Sequence, residues 1–183
     1  MISRRSYTQK EDTELVALLS QGDDRALGEL LHRYQDVVFG FAHGFLYDFQ
    51  EAEDVVQETF LRLYRTSGHY LPKASLRTFL LRIAKNICID LHRKKRPVLM
   101  EFFPEVVSGK TPLDLLQTAV ETDFLEKAIK MLPPNQRAVL TLLHNEHLHY
   151  REIAEVMDLS VSAVESLLVR ARRTLRKKAG DNV

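Results

Sequence analysis

Apolar residues along this chain recur every three or four positions with little interruption, and nowhere do they settle into strict alternation. Such spacing buries one stripe of a helix and supplies no half-buried strand, so the expected fold is all-α. No glycine-rich strand-to-helix turn of the kind that cradles nucleotide phosphates is present. The first helices are expected at about 12–21, 24–46, 49–66 and 75–94, with Asp23 or Asp24 and Ser75 as N-caps. Gly68 and Pro72 break the pattern between the last two, in the irregular piece SGHYLPKA. Pro97 then closes a first domain. The run RPVLMEFFPEVVSGKTP has no clean helical period and reads as a linker. Its Met100, Phe102 and Phe103 are apolar enough to lie against something. Thr111-Pro112 suits a helix start, and LPPNQ and DLSVS mark two later turns. The expected organisation is an N-terminal segment 1–22, a helical domain 23–96, a flexible linker 97–111 and a second helical domain 112–183.

The net charge of +1 conceals a segregation of sign. From Asp48 to Glu58 there are five carboxylates and no lysine or arginine. From Arg82 to Arg96 six basic residues face the single Asp90, and from Ser160 to the end six face Glu165 and Asp181. An acidic helix beside two basic blocks suits two different partners, one protein and one nucleic acid. Cys88 is the only cysteine, which excludes an internal disulfide and a cysteine-based metal cluster; set among Ile87, Ile89 and Leu91, it reads as a small buried hydrophobe. His144, His147 and His149 lack a second motif of ligand spacing and read as turn polarity, so no metal and no cofactor is expected. Nothing pairs a nucleophile with a base, which argues against an enzyme. No apolar run is long enough to span a membrane, and MISRRSYTQKEDTEL lacks a signal core, so no membrane insertion and a cytoplasmic location are expected.

Two surfaces carry the recognition chemistry. In AEDVVQETFLRLYR, Val55, Val56, Thr59 and Leu63 can pack inward and leave Glu53, Asp54, Gln57, Glu58 and Arg62 outside. Near the end, YREIAEVMDLSVSAVESLLVRARRTL has the layout of a helix-turn-helix. Ile153, Ala154 and Met157 face inward, Leu159 plugs the turn, and Ser160 caps the second helix. Val164, Leu168, Ala171 and Leu175 form its buried stripe. The opposite face offers Ser162, Glu165, Ser166, Val169, Arg170 and Arg173 to base edges and phosphates in a major groove. Glu165 can accept from a cytosine amino group, and Arg170 can donate to guanine or phosphate. In FLLRIAKNICIDLHRKKR the expected core stripe is Leu76, Phe79, Leu80, Ile83, Ile87 and Leu91, with Arg82, Lys85, Asn86, Ile89, Asp90 and Arg93 opposite.

Together these segments resemble, in order and spacing, the extracytoplasmic-function sigma factors, two-domain bacterial transcription initiation factors. AEDVVQETFLRLYR resembles that family's core-polymerase-binding helix, FLLRIAKNICIDLHRKKR its −10 helix, and the final segment its −35-binding domain. The resemblance implies that Asp54, Gln57, Glu58, Phe60 and Leu61 dock on the clamp helices of core RNA polymerase, with the polymerase flap as a further contact. It implies that Arg82, Lys85, Asn86 and Arg93 meet the −10 element, and that His69, Tyr70 and Lys73 capture a flipped base, whose unstacking costs a few kcal/mol. It implies −35 reading by Ser162, Glu165, Ser166, Val169, Arg170 and Arg173, and regulation by an anti-sigma protein. Glu165 and Leu167 stand where many members carry basic residues, and Phe79 stands where tryptophan is frequent. A linker of about 15 residues spans up to ~50 Å, which, with the domains' own radii, suits promoter elements about 70 Å apart. On the residues alone two other readings stay open: a dimeric operator-binding regulator, and a polymerase-binding adaptor that does not use DNA.

Overall fold

A computed structural model of the chain describes residues 7–71, 74–99 and 126–180. Seven α-helices are described in it: α1 Asp12–Ser20, α2 Asp24–Leu46, α3 Phe49–Thr66, α4 Leu76–Leu99, α5 Pro134–His144, α6 Tyr150–Met157 and α7 Val161–Gly180. A single 3-10 turn, Ser67–His69, follows α3. Among the described residues there is no strand. None of the described helices is long and apolar enough to cross a membrane. Lys73, the linker aromatics and the Thr111-Pro112 helix start fall outside the described residues.

Local chemistry sets most of the helix boundaries. The Asp23 carboxylate accepts from the Arg25 amide at 3.0 Å, Asp48 from Glu51 at 3.0 Å, and the Ser75 hydroxyl from Thr78 at 3.1 Å. Tyr47, in the left-handed region at φ 55°, reverses the chain between α2 and α3. Glu152 reaches back to the His149 amide at 2.8 Å at the start of α6. One boundary differs from expectation. α4 runs through Pro97 to Leu99 instead of stopping short of it; a proline removes a single donor, which a terminal turn tolerates better than a helix interior.

Helices α1 to α4 enclose a core of Leu15, Leu30, Phe41, Phe45, Val55, Leu63 and Leu80, and α5 to α7 enclose one of Leu142, Ile153, Val164 and Leu168. The two cores join into one continuous apolar cluster. The join is made by α2 and α4, which pack against α5 and, for α4, α6. Helix α4 is therefore gripped from two sides: Leu76, Leu80 and Ile87 of the expected stripe are buried, but so are Leu81, Ala84 and Cys88.

Candidate functional site

The acidic face of α3 is presented much as its periodicity requires. Glu53, Asp54 and Gln57 are exposed, Leu61 and Tyr64 add apolar surface beside them, and Glu58 is paired with Arg62 at 2.7 Å. Phe60 is a correction. It is 3% exposed and part of the core, so its side chain is not available to a partner. It lies three residues from Leu63 and four from Val56, on the inward stripe. One feature escaped the sequence reading: Phe49, 58% exposed at the first turn of α3, meets Phe39 of α2 edge-on at 5.2 Å. With Gln35, Asp36, Glu53 and Gln57 they line a cleft of about 360 Å³. No signal in the sequence brings an α2 aromatic to that place.

Beyond α3, the 3-10 turn and α4 border a second cleft, of about 640 Å³. His69 stands exposed at its edge, and Tyr70, half-buried, meets Phe79 edge-on at 5.2 Å. Burial, and to a lesser degree Asp12, pushes the Tyr70 hydroxyl above its ordinary value, so it remains a neutral donor near pH 7. Glu155 of α6 closes one side of the cleft. Arg82 donates to the Glu155 carbonyl at 2.6 Å. Asn86 is exposed, and Arg93 pairs with Asp90 at 3.1 Å. Lys85 is a second correction: it was expected on an open face and is 7% exposed. Burial and the neighbouring Arg82 hold its ammonium below the usual lysine range, and Asp158 from the second domain partly offsets them. The physical reason is that α6 covers this side of α4.

The helix-turn-helix forms between α6 and α7. Asp158 takes the left-handed conformation at φ 57°, the Leu159 amide donates to the Ala154 carbonyl at 2.9 Å, and the Ser160 hydroxyl accepts from the Ala163 amide at 3.2 Å. Leu159 is 40% exposed and does not plug the turn. Val164, Leu168 and Ala171 are buried and Leu175 is half-buried. All six residues of the opposite face, Ser162, Glu165, Ser166, Val169, Arg170 and Arg173, are exposed, with Val169 at 63% the most prominent apolar group. A protruding valine flanked by serines, a carboxylate and guanidiniums can offer methyls to thymine and polar atoms to other base edges. Among the described residues no group of three or more histidine, cysteine or acidic side chains is arranged to hold a metal.

Comparison with known proteins fits these surfaces. The model of Sigma-70 region 2 matches residues 30–98, and that of Sigma-70 region 4 matches residues 125–175. The RNA polymerase sigma-H factor of Pseudomonas aeruginosa is 34% identical over 93% of this chain and 94% of its own length. The ECF RNA polymerase sigma-E factor of Haemophilus influenzae is 30% identical over 93% and 96%. The chain belongs to the extracytoplasmic-function sigma factors. Among solved structures, CnrH in complex with the cytosolic domain of CnrY superposes on this sigma factor with a TM-score of 0.69 and 26% identity, covering 94% of it and 99% of CnrH. The Bartonella quintana sigma factor RpoE, solved with the anti-sigma factor NepR, shares the fold at a TM-score of 0.61 and 23% identity over 84% and 96%.

Proposed function

We propose that this sigma factor directs core RNA polymerase to specific promoters and helps open their −10 region at initiation. The observation that carries the reading is the complete exposure of the α7 face, held on a capped helix-turn-helix in the same chain as the acidic α3 face. In this reading Asp54, Gln57, Glu58 and Leu61 dock on the polymerase clamp, polar groups setting register around an apolar anchor. Ser162, Glu165, Ser166, Val169, Arg170 and Arg173 read the −35 element. His69, Tyr70, Lys73, Arg82, Lys85, Asn86 and Arg93 serve the −10 element, with the Tyr70–Phe79 pair as a stacking wall for an unstacked base. A protein regulator of the anti-sigma kind belongs to the same reading, as CnrH is held by the cytosolic domain of CnrY. The domain boundaries 23–96, 97–111 and 112–183 are proposed with it.

The test is reconstitution. The purified protein is expected to co-elute with bacterial core polymerase and to confer run-off transcription on a promoter selected with that complex. Arg170→Ala is expected to reduce transcription through the −35 element. An equal loss on a promoter with that element scrambled would reject the α7 assignment, and dimeric operator binding without co-elution would reject the function.

A further inference from the structure

Helix α1 lies ahead of residues 30–98, the span matched by Sigma-70 region 2, and has nine residues. Isolated helices shorter than about 12 residues are marginal in water, and Glu11 at the N-cap makes no side-chain cap bond. The place of α1 is therefore set by what it packs on. Leu15, Val16 and Leu19 are buried. Asp12, in the first turn, divides its carboxylate between two adjacent side chains of α2: Oδ1 accepts from Arg33 at 2.9 Å, and Oδ2 accepts from the Tyr34 hydroxyl. Arg33 directs its other donors to Glu29 at 2.8 Å and to the Thr8 and Tyr7 carbonyls at 3.1 and 3.2 Å. The Tyr7 hydroxyl donates to Asp23 at 2.6 Å. A carboxylate bonded through both oxygens, facing a guanidinium in its planar fork, fixes α1 in one orientation on α2.

Helix α1 also packs on the 3-10 turn Ser67–His69. The turn's own bonds are local: the Ser67 hydroxyl donates to the Tyr64 carbonyl at 2.8 Å, and the Tyr70 amide to the Ser67 carbonyl at 3.2 Å. They shape the turn and leave its placement to packing. Tyr70 follows directly and meets Phe79 edge-on. Burial first and then the Asp12 charge raise the Tyr70 hydroxyl; burial first, then the bond to Asp12, and last Tyr70 raise the Tyr34 hydroxyl. Asp12, Tyr34 and Tyr70 thus share one neighbourhood, where α1, α2 and the turn meet. We propose, resting on the base-capture assignment of Tyr70 above, that Asp12 is a positioning residue for that capture: its bonds to Arg33 and Tyr34 seat α1 on α2, and α1 seats the turn so that Tyr70 stands beside Phe79 as a wall for an unstacked base. A gap of roughly 0.5–1 Å forfeits about a quarter to a half of a dispersion contact. Loosening α1 therefore reaches the pocket with every residue of the pocket intact.

Run-off transcription by the reconstituted holoenzyme tests this. It is measured on the selected promoter and on copies with one abasic residue at successive non-template positions of the −10 region. The parent is expected to lose about tenfold or more where the captured base is missing. Asp12→Ala should bring that ratio below about threefold, with core-polymerase affinity unchanged. A variant that only lowers the folded fraction slows both promoters alike and leaves the ratio at its parental value; that result would overturn the proposal. Tyr34→Phe removes one hydroxyl and keeps the packing, so it decides the matter if Asp12→Ala does not fold. A ratio reduced at least about twofold is expected of it, and an unchanged one overturns the proposal. Asp12→Asn should restore most of the ratio, because its oxygen accepts from Arg33 while its nitrogen donates to the Tyr34 hydroxyl; a ratio no higher than that of Asp12→Ala would count against the seating role. Tyr70→Ala separates the two claims. If it leaves the ratio untouched, Tyr70 captures no base and the role of Asp12 falls with it. If it collapses the ratio while Asp12→Ala and Tyr34→Phe do not, capture stands and the role of Asp12 fails.

Discussion

Replacing Arg137 with methionine tests the join between the domains most directly. Arg137 is 3% exposed, donates to the Phe45 carbonyl at 3.1 Å and to the Lys130 carbonyl, and lies over the Phe45 ring at 5.0 Å. Phe45 is in the last turn of α2, where carbonyls have no partner within the helix. Methionine keeps most of the apolar stem and removes only the guanidinium. Leaving a buried carbonyl unpaired costs about 1–3 kcal/mol, and the ring contact adds about 1 kcal/mol. Relief from burying a charge offsets part of this, so the expected loss is about 2–3 kcal/mol. For a chain of this size 1 kcal/mol is worth about 2–4 °C, so the melting midpoint should fall by roughly 5–10 °C. Because one apolar cluster spans both domains, the parent protein is expected to unfold in a single urea transition, and Arg137→Met in two. A single unchanged transition, with a midpoint shifted by less than about 1 kcal/mol, would show that Arg137 does not hold the domains together. Arg137→Lys keeps the charge without the planar fork and should recover less than half of the loss.

Three further outcomes are expected. Asp54→Ala with Gln57→Ala removes exposed side chains, so core-polymerase affinity measured by fluorescence anisotropy should drop at least about tenfold, or 1.4 kcal/mol, while the melting midpoint stays within about 1 °C. Lys85→Met relieves a buried ammonium and should raise the midpoint by about 2–4 °C, roughly 1 kcal/mol. It should also weaken −10 binding and lower the salt slope of that binding by about 1. Glu146 supplies a pH dependence: burial pushes its carboxyl above the ordinary glutamate value, against the opposing pull of Arg77. A group raised by the packing of the two domains stabilises that packing fully below its ordinary value and loses the contribution as pH rises through the raised one. Acidification from neutrality should therefore tighten the domain join, read by energy transfer between dyes on the two domains, and Glu146→Gln should flatten the response.

Helix positions and caps were legible because they are local. Asp23, Ser75 and Ser160 each bond an amide two or three residues on, and apolar spacing alone places Leu168 and Val164 inside. The α7 face was legible for the same reason. Phe60 was misplaced because a motif match was preferred to its own periodicity, which puts it with Leu63. Lys85 was misplaced for a deeper reason. The expected stripe of α4 took in one side only, whereas Leu81, Ala84 and Cys88 bury a second side beside Lys85, and Arg77 and Arg82 bond backbone carbonyls of the second domain there, contacts that leave no hydrophobic signature. Gly40 and Gly44 are silent for a related reason: glycines in a helix look like weak propensity until Glu146, Asn145 and Thr141, which lie against these two, are known.

Cys88 lies in the helix that both domains grip, fully buried, with its thiol pushed well above the ordinary range. A thiol in that position reacts with nothing while α4 stays in place. Each modification event by an added alkylating reagent thus counts one release of α4 from its surroundings. The molecule carries its own clock for the slowest opening of its fold, readable by mass without a label and in the presence of polymerase or DNA.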